Sequence, residues 1–199
     1  NGQLGHEMRN ALKGNNRFEC IFTDVAELDI CNAEAVKQII ADNHIDYIVN
    51  CAAYTQVDKA EDNAELCKKI NTDAVENLAR AAATYGARMI HISTDYVFNG
   101  RGYRPYTEDV VPDPQSVYGS TKLEGEKILT DICPESIIIR TAWLYSPYGN
   151  NFVKTMLHLG EEREELSVVA DQIGTPTCAA DLAQAILVIL QADTFVPGT

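Results

Sequence analysis

Nothing in these 199 residues stays apolar for long enough to cross a bilayer. The longest runs, such as Ala185 to Leu190, fall far short of the roughly 20 residues a span requires. Basic residues are scarce too: 16 Lys and Arg stand against 29 Asp and Glu, a net charge of −13 spread along the chain. Such a field repels polyanions, so neither nucleic acid nor an anionic membrane is an expected partner. The given residues do not open on a basic stretch followed by an apolar core, and the expectation is a soluble, cytoplasmic protein. Also missing is any Cys-x-x-Cys pair. The six cysteines (20, 31, 51, 67, 133 and 178) and the four histidines do not fall at metal-ligand spacing. Reduced thiols are expected, with no metal site; nothing in the sequence supports Mg2+.

What is present is ample material for a core, 46% apolar and 23% charged residues, arranged as alternating short apolar runs and amphipathic segments. The spacing predicts helices over Gln3 to Leu12, Ala33 to Asp42, Ala64 to Tyr85, Val117 to Asp131, Asn151 to Arg163 and Asp181 to Gln191. Between them it predicts strands at Glu19 to Thr23, Tyr47 to Cys51, Arg88 to Ser93, Ser136 to Arg140 and Leu166 to Ala170. Helices and strands in alternation imply an α/β fold, a doubly wound parallel sheet with helices on both faces. Such a fold first places its central strand, whereas this chain starts on a turn entering a helix and stops at a turn after one. The expectation is therefore a chain lacking the first strand and the C-terminal part of a longer protein.

Three patches carry chemistry. Gly2-Gln3-Leu4-Gly5 suits the tail of a Gly-x-x-Gly-x-x-Gly loop, in which glycines let a helix N-terminus approach a pyrophosphate; a plain turn is the alternative. Thr23-Asp24, some twenty residues on, stands where a dinucleotide fold sets the acid that meets the adenosine ribose. That acid would disfavour a 2′-phosphate, a lean toward NADH. Asn50-Cys51-Ala52-Ala53 closes a strand with small residues, leaving room for a flat ligand or for close helix packing. In Tyr118-Gly119-Ser120-Thr121-Lys122 a phenol and an ammonium lie one helical turn apart, and the cation is expected to lower the phenol's pKa. Only this one of nine tyrosines has Lys four residues on, against about 0.36 such pairs expected by chance. Ser93-Thr94 upstream supplies hydroxyls at the end of a strand. His91 alternates within that strand and reads as packed core.

Taken together these residues resemble the extended short-chain dehydrogenases/reductases, and within them the branch acting on dTDP-4-dehydro-L-rhamnose. The likeness runs from Gly2 to about Ala192. It is carried by Gly2-Gln3-Leu4-Gly5, Val57-Asp58-Lys59-Ala60-Glu61, Ser93-Thr94-Asp95-Tyr96-Val97-Phe98, Tyr118-x-x-x-Lys122, Arg140-Thr141-Ala142-Trp143, Gly149-Asn150-Asn151-Phe152 and Asp171-Gln172-Ile173-Gly174-Thr175-Pro176-Thr177. The resemblance implies a Rossmann-like NAD(P)-binding domain over residues 1–142. Residues 143–199 begin a substrate-binding part interleaved with the last sheet elements. It implies NADPH or NADH as cofactor, a nucleotide-sugar substrate, and a homodimer as the assembly to consider. Thr94, Tyr118 and Lys122 are the implied catalytic set. Gly2, Gln3, Leu4, Gly5, Asp24, Asp29, Ile30, Cys51, Ala52, Ala53 and Ser93, with Tyr118 and Lys122, are implied around the cofactor. Thr94, Asp95 and Trp143 are implied at the sugar nucleotide. Cys51 stands where relatives usually carry alanine. The related 4,6-dehydratases place Asp-Glu after this threonine, where Asp95-Tyr96 stands here, so the implied reaction is reduction of a 4-keto group rather than loss of water. Two other readings stay open: another nucleotide-sugar epimerase or reductase of this family, and a non-catalytic subunit resembling the regulatory subunit of methionine adenosyltransferase.

Overall fold

A computed structural model describes all of residues 1–199, and the chain divides into two compact units. One unit comprises Asn1–Phe22 with Thr141–Phe195, the other Thr23–Arg140 with Val196–Thr199.

The larger unit is built on a sheet in the order β1 (Tyr47–Asn50), β2 (Arg88–Thr94), β3 (Ile137–Thr141). Strands β1 and β2 run parallel in a register that sets Tyr47 beside Arg88 and Asn50 beside His91. Parallel neighbours need a crossover, and helices provide it: α2 (Ala33–Asp42) precedes β1, while α3 (Val57–Asp62), α4 (Ala64–Lys68) and α5 (Ala74–Tyr85) lie between β1 and β2. The last crossover, before β3, is α6 (Val117–Ile132). Side-chain caps mark where helices start. Asn32 accepts from the Ala35 N–H at 3.1 Å at the head of α2, and Ser116 accepts from Gly119 at 3.1 Å at the head of α6. Val36, Ile40, Val75, Leu78, Ala82, Met89, Leu129 and Ile138 form the apolar core between helices and sheet.

The expected helix from Ala64 to Tyr85 is interrupted by a π-helical turn, Lys69–Asp73, that turns Asn71 and Thr72 inward. Asn71 pairs with the backbone of Tyr54 in both senses, accepting from its N–H at 2.9 Å and donating to its carbonyl at 3.1 Å. Thr72 Oγ1 donates to the Thr121 carbonyl at 2.9 Å. Two glycines let α6 approach closely: a Cβ on Gly125 would collide with the Asn71 carbonyl, and one on Gly119 with the Tyr96 carbonyl.

In the smaller unit α1 (Gln3–Ala11) packs on α8 (Ala179–Gln191). The unit also holds two short parallel strands, β4 (Leu144–Tyr145) and β5 (Thr177–Cys178), and α7 (Phe152–Glu162), which Asn151 caps. Gln3 ties this unit together, donating to the Leu144 carbonyl at 3.2 Å and accepting from Asn151 at 2.9 Å.

Two expected strands are absent. Glu19 to Thr23 and Leu166 to Ala170 have apolar content of the right length but pair with no strand in this chain. A strand exists only through ladder bonds to a neighbour, so apolar composition alone did not suffice. Helix α3, over Val57–Asp62, went unread because its single turn and a half is too short to show a period.

Candidate active site

The larger unit gathers its polar side chains at the carboxyl ends of β1 and β2. Thr94 ends β2, and its Oγ1 accepts from the Tyr96 N–H at 3.2 Å and donates to Asp95 at 3.2 Å, opening a short 3-10 turn over Asp95–Val97. Tyr118, in the first turn of α6, lies edge-on to Tyr96 with ring centroids 5.5 Å apart. Thr94 also acts on the Tyr118 phenol, favouring its ionised form. Thr94 and Tyr118, on different elements, thus both bear on Tyr96.

Lys122 follows one turn along α6 and is buried. Its Nζ lies 2.7 Å from the Ile92 carbonyl and 3.1 Å from Nε2 of His91, whose Nδ1 faces Asn50 Nδ2 at 3.1 Å. The expectation that Lys122 lowers the Tyr118 pKa does not hold for this arrangement. Burial pushes the Tyr118 phenol up to about 12, against a smaller downward pull from Thr94. Burial also brings the Lys122 ammonium down to about 8, with Glu126 and Cys67 acting the other way. With Nζ turned to His91 and Ile92, desolvation wins at both groups. Burial likewise raises the carboxyl of Asp95, partly offset by hydrogen bonds from Thr94 and from the backbone of Asp95 and Tyr96.

The remaining expected residues fall as follows. Ser93, beside Thr94, is buried and its Oγ meets no protein partner, which suits a polar ligand group at that strand end. Asp24 accepts from the Val25 N–H at 2.7 Å, and Asp29 from the Cys31 N–H at 2.9 Å, so both carboxylates are set by local turns. The Ile30 carbonyl accepts from Asn77 at 3.1 Å. Cys51 and Ala52 are exposed, with Ala53 half-buried, just beyond β1. These residues share the larger unit with Thr94, Tyr118 and Lys122. In the smaller unit, Gly2 precedes α1 in extended backbone, and beyond their own neighbouring residues and helix backbone nothing lies within 4 Å of where a Cβ on Gly2 or Gly5 would sit. Leu4 is buried there. Trp143 holds a left-handed backbone, φ 47°, with its ring against Gly174 and 43% of its surface exposed. A left-handed conformation is costly for a bulky residue and recurs at functional sites.

The sequence marks Asn50 only within the Asn50–Ala53 patch and does not single out Asn71, whereas His91 is buried as expected, with polar partners on both sides. One signal was legible: in parallel register the strand ends bring Asn50 beside His91, two polar residues where core would be apolar.

The family model described as the RmlD substrate binding domain matches residues 1–197. This chain belongs to that family. A dTDP-4-dehydrorhamnose reductase of Escherichia coli K12 is 48% identical over 186 residues, covering 92% of this chain and 62% of the relative. The chain thus spans less than two thirds of that curated relative. The crystal structure of a dTDP-4-dehydrorhamnose reductase from Clostridium acetobutylicum superposes with a TM-score of 0.92 at 50% identity, over 96% of this chain and 67% of that one. That of the Bacillus anthracis dTDP-4-dehydrorhamnose reductase, in complex with NADP, gives 0.94 at 42% identity over 100% and 72%. The RmlD-family chain therefore has the expected Rossmann-like α/β fold with parallel strands.

Proposed function

We propose that this RmlD-family protein reduces the 4-keto group of dTDP-4-dehydro-L-rhamnose with NADPH or NADH, forming dTDP-L-rhamnose. The arrangement that carries the reading is Thr94 at the carboxyl end of β2 with Tyr118 and Lys122 on the adjoining α6, Tyr118 lying edge-on to Tyr96 and Tyr96 donating its N–H to Thr94 Oγ1 at 3.2 Å. It sets two hydroxyl-bearing side chains on adjoining elements within a chain whose relatives bear that reductase's name.

A keto reduction needs one hydride and one proton. The nicotinamide supplies the hydride when bound. Thr94 donates to the substrate carbonyl oxygen and holds it in place. Tyr118 delivers its proton to that oxygen as it becomes an alkoxide; a phenol raised toward 12 stays protonated at neutral pH, so the proton is at hand. Lys122 acts from one turn below in its protonated form, its charge assisting the tyrosinate left behind and its ammonium binding the nicotinamide ribose. Asp95 and Trp143 contact the sugar nucleotide. Gly2, Gln3, Leu4 and Gly5 at the head of α1 take the pyrophosphate, where open space before an uncapped helix N-terminus fits an anion. Asp24, Asp29 and Ile30 serve the adenosine end, and Cys51, Ala52, Ala53 and Ser93 line the cofactor's path; the unpartnered Ser93 hydroxyl suits this role.

The test is NAD(P)H oxidation by the full-length protein against a panel of 4-keto sugar nucleotides. Stoichiometric oxidation with dTDP-4-dehydro-L-rhamnose supports the reading. Interconversion of sugars without net cofactor consumption identifies an epimerase instead, and binding without turnover a non-catalytic subunit.

A further inference from the structure

Asn50, His91 and Lys122 form a buried polar chain across β1, β2 and α6, with relative exposures of 5%, 0% and 1%. Their protons can be counted. The Asn50 amide has one orientation, because its Oδ1 accepts from the Ala52 N–H at 3.1 Å; the group facing His91 is then the Nδ2 donor. Nδ1 of His91 must accept. Burial holds His91 well below the usual imidazole range, so the ring is neutral, and with Nδ1 accepting it carries its one proton on Nε2. That Nε2–H points at Lys122 Nζ, 3.1 Å away.

An ammonium offers three donors and no acceptor, so a charged Lys122 here would set donor against donor. A neutral amine satisfies every atom: its lone pair accepts from Nε2–H, and one N–H donates to the Ile92 carbonyl at 2.7 Å.

We propose that Asn50 and His91 are positioning residues that dock Lys122 as a neutral amine, by locking the His91 proton on Nε2. Protonation of Lys122 and its release from His91 are then one event, since the charged form finds no acceptor there. The other charged and titratable groups facing Lys122 do not undo the lock. Glu126, on α6 itself, is engaged by Arg140 of β3 in two hydrogen bonds, and the Cys67 thiol of α4 is engaged with Thr121 and Asn71. Only the part played by Lys122 in turnover rests on the reductase reading; the lock itself is read without turnover.

Long-range proton–nitrogen NMR of the intact protein reads the His91 tautomer directly, and the Lys122 side-chain carbon and nitrogen shifts read its protonation midpoint. The expected ring has its proton on Nε2 and a bare Nδ1. In Asn50→Asp the carboxylate accepts at Nδ1, the ring proton moves there, and Nε2 becomes an acceptor for an ammonium. The Lys122 midpoint then rises by about one pH unit, a tenfold gain in proton affinity. Asn50→Asp also brings in a charge, so the uncharged His91→Gln, whose carbonyl oxygen can face Nζ, must raise the midpoint as well. A wild-type His91 protonated on Nδ1 overturns the proposal, and so does a midpoint that moves in Asn50→Asp alone.

Discussion

Arg140 grips Glu126 through two hydrogen bonds, Nε to Oε1 at 3.0 Å and Nη2 to Oε2 at 2.6 Å, with its guanidinium also over the Phe98 ring. The pair ties α6, which carries Tyr118 and Lys122, to β3. Both side chains are largely buried, at 17% and 4% exposed. Removing one partner of such a pair strands the other charge in a poor solvent. Glu126→Ala is expected to lose about 3 kcal/mol of stability in urea unfolding. A loss under about 1 kcal/mol, the range of exposed ion pairs, would show that the pair does not brace the helix.

Tyr118→Phe keeps the ring and its contact with Tyr96 while deleting the proton. The variant is expected to fold and to bind NADPH as before, with kcat lowered roughly 100- to 10,000-fold. Steady-state kinetics beside cofactor titration checks this, and near-normal kcat would take Tyr118 out of the reaction.

The pH dependence of stability follows from the two buried groups of α6. Lys122 has a folded pKa lowered from 10.5 to about 8, so its contribution is fully present above pH 10.5 and is lost as pH falls through about 8. Tyr118 is raised from 10.0 to about 12, so its contribution is present below pH 10.0 and is lost as pH rises through about 12. Urea unfolding should show a Lys122-dependent gain in stability between about pH 8 and pH 10 that Lys122→Met abolishes. An identical slope in the variant would mean that Lys122 titrates normally in the fold.

Trp143 is the chain's one tryptophan, so its fluorescence can be read without ambiguity. If it walls the sugar nucleotide, emission changes on adding a dTDP-sugar without cofactor, and Trp143→Ala raises the substrate KM more than the cofactor KM. An unchanged substrate KM would return the ring to a packing role against Gly174.

Much of this was legible in the residues because it is local. The alternation of short apolar runs with amphipathic segments is a short-range pattern, and α2 and α6 begin at the expected residues, 33 and 117. The Tyr118/Lys122 spacing is likewise a property of one helix. What escaped depends on partners from distant segments. Glu19 to Thr23 has a strand's composition but no ladder. The π-helical turn at Asn71 is held by the backbone of Tyr54, seventeen residues away. The tautomer of His91 follows from an amide on another strand, and whether Tyr118 or Lys122 is perturbed upward or downward was decided by burial, which spacing does not reveal.

The proposed function turns on a hydride delivered to carbon 4 of a dTDP-sugar. The most direct measurement uses NADPH carrying deuterium on the transferring face of the nicotinamide, with mass and NMR analysis of the sugar product. The account predicts one deuterium at carbon 4 of dTDP-L-rhamnose for each NADPH oxidised, and almost none formed by Tyr118→Phe in the same time. Product without deuterium at carbon 4, or sugar conversion with no NADPH oxidised, would contradict it.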